Sequence, residues 1–310
     1  MSGSIVTILC AAMLLSEVPP GTNNPTATGI PARMTVTANV ENGKRAPQVE
    51  KQDVVVKKGK ERLPVTEWVA AKGDRAGLEL FFLIDDASTS NLGSQLEDLR
   101  TFINAQPSTT AVGIGYTRNA TVEVRQDFTT DHALAAKALR LPVSTVGAYG
   151  SPYLSLTELM KRWTASSNRR EVVLVTDGID RAGRGRNALL NPDVDTAAEV
   201  AQKTGTIVHT IYFPGVGHWY RNFWDRNNGQ NALAKLSDIT GGESFFLGTQ
   251  APVSFSPYLD QLRQILDNQY LLTFSAKPGK KAGLQYVSVT TEVAGVDFST
   301  PDAVWVPAAK

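Results

Sequence analysis

The sequence predicts an α/β protein: a doubly wound, mostly parallel sheet, with a smaller β unit built from the N- and C-terminal flanks. Three observations carry this. Two short apolar runs, Leu80–Ile84 (LFFLI) and Val172–Val175 (VVLV), have the composition of strands buried on both faces, and each ends at acid, Asp85-Asp86 and Asp177. From the first run onward, strand patterns alternate with amphipathic helical patterns, the signature of right-handed crossovers onto a parallel sheet. Before residue 75 and after residue 268 the pattern reverts to strands.

The elements follow in order. Residues 1–18 read as a signal segment: the apolar run Ile5–Leu15 is too short to span a bilayer but suits the core of a secretory leader, so export to the periplasm or exterior is expected. A lipid anchor on Cys10 and a buried, cytoplasmic N-terminus are the alternatives. Residues 19–32, rich in Pro, Gly, Asn and Thr, read as a linker. The N-terminal β segment, 33–74, opens with alternation of Met34, Val36 and Ala38 against Thr35, Thr37 and Asn39. It turns at Asn42-Gly43 and continues as strands over 52–57 and 64–70.

The central unit, 75–268, holds the two apolar strands. Leu92, Leu96, Leu99 and Ile103 recur at helical spacing over 91–105. Strands at 110–117 and 120–128 are joined by the turn at Arg118-Asn119, and a helix covers 131–139. A helix over 153–165 has Leu156, Leu159, Met160 and Trp163 on its apolar face. Helix 194–203, strand 206–213, helix 231–239, strand 244–248 and helix 256–268 complete the alternation. The C-terminal β segment, 269–310, carries strands at 270–276, 284–293 and 303–306.

Composition narrows the function. A formal net charge of +1 gives no global attraction to nucleic acid or to a membrane surface, so a membrane enters only through an N-terminal anchor. With Cys10 as the sole cysteine, an exported chain would have no internal disulfide and would rest on its core and on bound metal. HExxH, GxSxG and a Gly-rich phosphate loop are absent, and Gly113-x-Gly115 lies inside a strand with no helix following. The chain therefore reads as a non-enzyme. The enzymatic alternative is a hydrolase using the acids below with His218 as acid/base, metal-dependent or as a Ser88-His218-Asp177 triad.

Asp86, Ser88 and Ser90 recur at every second position just past the first buried strand, where open parallel sheets bind ligands. All three offer hard oxygen atoms, which suits a cation such as Mg²⁺. Asp177 closes the second strand at the same edge, and neighbouring strands lie within about 5 Å, close enough for the two carboxylates to share one ion. Ser151, immediately before the helix at 153, adds a neutral hydroxyl. Such a shell leaves the ion electrophilic, so an acidic side chain from another molecule can complete it. The plainer alternative is that Asp85 or Asp86 caps the following helix and the serines are turn residues. Asp85 reads as an extra strand-end acid pointing away.

The loop after the strand at 206–213 gathers His218, Trp219, Tyr220, Phe223 and Trp224, an aromatic density suited either to partner recognition or to a small satellite core. Arg181, Arg184 and Arg186 follow Asp177 and would steer an acidic partner, or form a solvated loop.

The ordered set Asp86-x-Ser88-x-Ser90, Gly150-Ser151-Pro152 and VLVTDG ending in Asp177-Gly178 resembles the metal-ion-dependent adhesion site of a von Willebrand factor type A (VWA) domain, over roughly residues 77–268. The flanking β segments resemble those of bacterial exported proteins of that kind. The resemblance implies a Rossmann-like sheet and a bound Mg²⁺, with Mn²⁺ or Ca²⁺ as substitutes. It also implies a protein ligand that offers an Asp or Glu carboxylate. Ser151 stands where the family usually has Thr, and Thr89 where Gly is common.

Overall fold

The computed structural model describes residues 29–40, 48–144, 150–164, 166–180, 192–215, 223–246, 248 and 250–309. The signal segment with Cys10, most of the linker, the Asn42-Gly43 turn, Arg181, Arg184, Arg186, His218, Trp219 and Tyr220 lie outside the described residues. In chain order the strands and helices are β1 (Ile30–Val40), β2 (Val54–Lys58), β3 (Glu61–Leu63), β4 (Val65–Ala70), β5 (Leu78–Asp85), α1 (Leu96–Asn104), β6 (Thr110–Arg118), β7 (Thr121–Thr129), α2 (His132–Lys137), α3 (Pro152–Arg162), β8 (Arg169–Thr176), α4 (Pro192–Thr204), β9 (Thr206–Tyr212), α5 (Phe223–Thr240), β10 (Ser244–Phe245), α6 (Ser256–Asp267), β11 (Gln269–Ala276), β12 (Gly283–Tyr286), β13 (Ser288–Thr291), β14 (Val296–Ser299) and β15 (Ala303–Val306).

The central sheet has the order β10-β9-β8-β5-β6-β7, all parallel except the edge strand β7. This is a Rossmann-like doubly wound sheet whose strand order reverses between β5 and β8, the position at which such sheets bind ligands. Alternate residues of β5 serve opposite cores, which is why its run is apolar throughout. Leu80, Phe82 and Ile84 pack with Leu99, Phe102 and Leu262 from α1 and α6. Phe81 and Leu83 pack with Tyr153, Leu156, Val194 and Leu233 from α3, α4 and α5. Each such side chain stabilises the fold by about 1.5–3 kcal/mol through burial alone.

The two flanks interleave, as the sequence pattern implied. β1 pairs with β11 and β14, β11 pairs with β4, β2 pairs with β3 and β13, and β12 pairs with β15. Their own core includes Val36, Val56, Leu272, Phe274, Val289 and Val306. Arg169, buried at the start of β8, stitches this β unit to the sheet: its guanidinium donates to Leu266 O (3.2 Å), Ala76 O (3.0 Å) and the Gln269 side chain.

Four expectations are corrected. The 30–32 end of the expected linker already belongs to β1, because Ile30 to Ala32 pair in register with Phe274 to Ala276. The stretch 284–293 is two strands in different sheets, divided at Val287, whose amide donates to Asp302 O. Residues 90–95 form a 3-10 segment, and the α-helix starts only at Leu96. Phe223 and Trp224 lie in the first turn of α5 rather than in a loop.

Candidate functional site

The site stands at the carboxyl edge of the sheet, at its switch point. Pairing of β5 with β8 runs in register to Ile84↔Val175, Asp85 and Thr176 then meet through their side chains, and Asp86 and Asp177 each follow directly on their strand's end at the same edge. Asp85, expected to point away, instead knots three strands. It is buried, and its carboxylate accepts from Thr117 Oγ1 of β6 (3.0 Å), Thr176 Oγ1 of β8 (2.7 Å) and the Ala87 amide (2.9 Å). Thr176 Oγ1 in turn accepts from the Gly178 amide (3.2 Å), so the knot also shapes the turn after Asp177.

Asp86 is fully buried and held by a residue that sequence reasoning missed. Arg140, in the segment after α2, grips both its oxygen atoms: Nη1 to Oδ1 at 2.7 Å and Nη2 to Oδ2 at 3.1 Å. The Val143 amide donates to Oδ1 as well (2.9 Å). Burial pushes the pKa of the Arg140 guanidinium down, but the hydrogen bond and charge of Asp86 outweigh it and hold the group above its usual value. No spacing signal could have found this pair, since 54 residues separate its members.

Ser88 is buried, and its Oγ has no hydrogen-bond partner among the described residues. The loop around it is clamped from both sides. Ser144 Oγ donates to Ser88 O (2.8 Å), the Thr89 amide donates to Pro214 O (3.2 Å), and Ser88 bridges Gly215. Ser151 is buried as the N-cap of α3, accepting from the Leu154 amide at 3.4 Å. From that helix Tyr153 donates to Gly178 O (2.7 Å), which ties α3 to the Asp177 loop. Ser90 stands apart from this group: it is exposed, at the start of the 3-10 segment.

Asp177 is fully buried, with Oδ1 accepting from the Ile179 amide (3.1 Å). Its position depends on two glycines. Gly178 has φ +70°, and a Cβ there would meet Gly229 O of α5 at 2.4 Å; a Cβ on Gly229 would meet Asp177 O at 2.3 Å. Backbone lies against backbone, so neither neighbour can yield. Gly229→Ala is expected to cost about 2 kcal/mol in a urea melt, within the usual range for overpacking.

The edge carries a negative field. Burial, followed by the charges of Asp177, Asp180 and Asp85, holds the Tyr153 phenol well above its ordinary value, so it stays a neutral donor. Among the described residues no three His, Cys, Asp or Glu side chains form a metal-holding group. A cation here would take hydroxyl oxygens beside its acids, and the donor set present fits one: the orphaned Ser88 Oγ, the Ser151 hydroxyl, and the carboxylates of Asp86 and Asp177.

Of the expected partner-binding residues, only Trp224 is described; it is 70 % exposed, with Phe223 beside it at 58 %. No helix among the described residues is long and apolar enough to cross a membrane.

No protein-family model matches the chain, and no curated protein matches it. Solved structures do. An aerotolerance-related membrane protein from Bacteroides fragilis is 13 % identical, with TM-score 0.44, over 62 % of this chain and 99 % of its own. The SpRpn10 VWA domain is 11 % identical, with TM-score 0.40, over 59 % of this chain and 94 % of its own. A mussel byssus matrix protein with a zinc-occupied metal-ion-dependent adhesion site is 10 % identical, with TM-score 0.42, over 63 % of this chain and 46 % of its own. The strand order and the antiparallel edge strand give the α/β part of this chain, from β5 to α6, a Rossmann-like doubly wound fold with the motif residues at its carboxyl edge.

Proposed function

We propose that this chain is a non-enzymatic, exported binding module that recruits a protein partner at the carboxyl edge of its sheet through a divalent cation. Asp86, Ser88, Ser151 and Asp177 are the residues that would hold the ion, with Ser90 able to join from the exposed side of the loop. The observation that carries this reading is the Ser88 hydroxyl. A buried polar atom without a partner costs about 1–3 kcal/mol, and an oxygen-seeking ion accounts for its retention in a loop that also carries the buried acid Asp86. When bound, Mg²⁺ or a substitute supplies a positive centre that a partner's Asp or Glu carboxylate can reach.

The surroundings suit a protein ligand. Leu141 and Val143, 52 % and 44 % exposed, belong to the segment that binds Asp86. Trp224 precedes Gly229, which touches Asp177, by about a turn and a half of helix, or roughly 8 Å. An exposed tryptophan suits an interface hot spot, where Trp, Tyr and Arg are enriched.

A second reading, a scaffold whose cation site has lapsed, draws on the Arg140 grip on Asp86. The hydrolase alternative turns on His218, which lies outside the described residues.

Ser88→Ala separates the first two. If the hydroxyl serves an ion, removing it should leave the metal-free protein equally stable or about 1 kcal/mol more stable, while the heat of Mg²⁺ binding in calorimetry falls away. If the site has lapsed, wild type itself gives no saturable heat.

A further inference from the structure

We infer that Arg140 is an exchangeable internal cation: its guanidinium occupies Asp86 until a divalent ion displaces it toward Glu123. This rests on the cation-site reading above and goes beyond it by naming the residue that sets when the site opens.

Four observations converge on Arg140. Its fork meets both oxygens of Asp86, the bidentate arrangement that most fully neutralises a carboxylate. Its main chain is fixed independently of that contact, because Tyr116 Oη donates to Arg140 O and accepts from its amide, both at 2.7 Å. Its side chain has a second berth, since Nη2 lies 3.5 Å from Glu123 Oε2, and Glu123 is about one-third exposed while Asp86 is buried. The guanidinium also lies 3.9 Å over the Tyr116 ring, a pivot surface that remains available in either position.

The two occupants of Asp86 exclude each other. A guanidinium and a divalent cation on one carboxylate would stand within a few ångströms, where like charges in a buried setting are strongly repulsive. The edge therefore has two states, Arg140 on Asp86 or an ion on Asp86 with Arg140 turned to Glu123. The apparent affinity for the ion is reduced by the fraction of molecules in which Asp86 is free. Arg140 thus keeps the buried acid compensated when no ion is present, and metal binding is weak until something else, such as a partner's acid drawing on the ion, favours the second state.

The experiment is a calorimetric titration of the full chain with Mg²⁺ and Mn²⁺, comparing wild type, Arg140→Gln, Arg140→Lys and Glu123→Gln, with melts in chelator and in excess Mg²⁺. Arg140→Gln is expected to bind the ion at least tenfold more tightly than wild type. Arg140→Lys, which keeps the charge without the fork, should fall between them. Glu123→Gln removes the second berth and should weaken binding severalfold. In chelator, Arg140→Gln should melt well below wild type, and Mg²⁺ should restore it, whereas wild type should be insensitive to chelator. Equal affinities in wild type and Arg140→Gln would overturn the exchange while leaving the cation site standing. No binding by any of the four would remove the cation site and the exchange with it. If Arg140→Gln fails to fold, the Arg140→Lys and Glu123→Gln affinities decide alone, and values equal to wild type in both overturn the exchange.

Discussion

Asp85→Ala is expected to destabilise the protein by about 3–5 kcal/mol, the largest loss of any substitution at the sheet edge. The carboxylate accepts hydrogen bonds from Thr117, Thr176 and the Ala87 amide. Hydrogen bonds to a charged group contribute about 1.5–3 kcal/mol each. Thr117 and Thr176 are buried, so truncation leaves their hydroxyls without an acceptor and without water. Relief of repulsion between Asp85 and its acidic neighbours offsets part of this. Asp85→Asn, which retains an acceptor oxygen, should cost about half as much. Urea denaturation measures both. An Asp85→Ala variant within 0.5 kcal/mol of wild type would mean that the knot between β5, β6 and β8 is not what holds the motif loop in place.

A loss of similar size is expected on the opposite half of the sheet. His209 in β9 and Glu171 in β8 are both fully buried and joined at 2.8 Å. His209 Nδ1 accepts from the Glu243 amide (3.1 Å), so the ring is the Nε2–H tautomer and donates to Glu171. His209→Leu alone strands the Glu171 carboxyl and should cost about 3–5 kcal/mol. The double variant Glu171→Leu, His209→Leu removes both polar partners and should recover most of that loss. A double variant no better than the single one would contradict the pairing.

Much of this fold was legible because its strands are buried on both faces. LFFLI and VVLV could not belong to a half-exposed sheet, and their abrupt ends at acid marked the edge that carries the candidate site. The interleaved flanks were legible in kind, since both showed period-two patterns, though pairing partners such as β1 with β11 lie more than two hundred residues apart in the chain. The division of 284–293 was hidden because a change of sheet at Val287 leaves the alternation of side chains unbroken. At Phe223 and Trp224, aromatic bulk suggested a loop, and packing of α5 through Gly229 extended the helix over them.

At the site, the residue types that could bind a cation were read from spacing, while their partners were not. Thr117 and Thr176 end strands at the same edge as the acids, and that shared position was the available signal for their bonds to Asp85. It was overlooked because Asp85 breaks the every-second-residue pattern of Asp86, Ser88 and Ser90. Arg140 left no such trace. Its position follows from α2 packing and from the Tyr116 hydroxyl that fixes its backbone, both properties of the folded chain.

The central claim is that a divalent cation sits among Asp86, Ser88, Ser151 and Asp177. Its most direct test is a Mn²⁺ titration of the full chain followed by electron paramagnetic resonance, with wild type beside Asp177→Asn. The account predicts one saturable Mn²⁺ in wild type, displaced by Mg²⁺, and its loss in Asp177→Asn. Identical traces from the two proteins, whether both saturate or neither does, would contradict it.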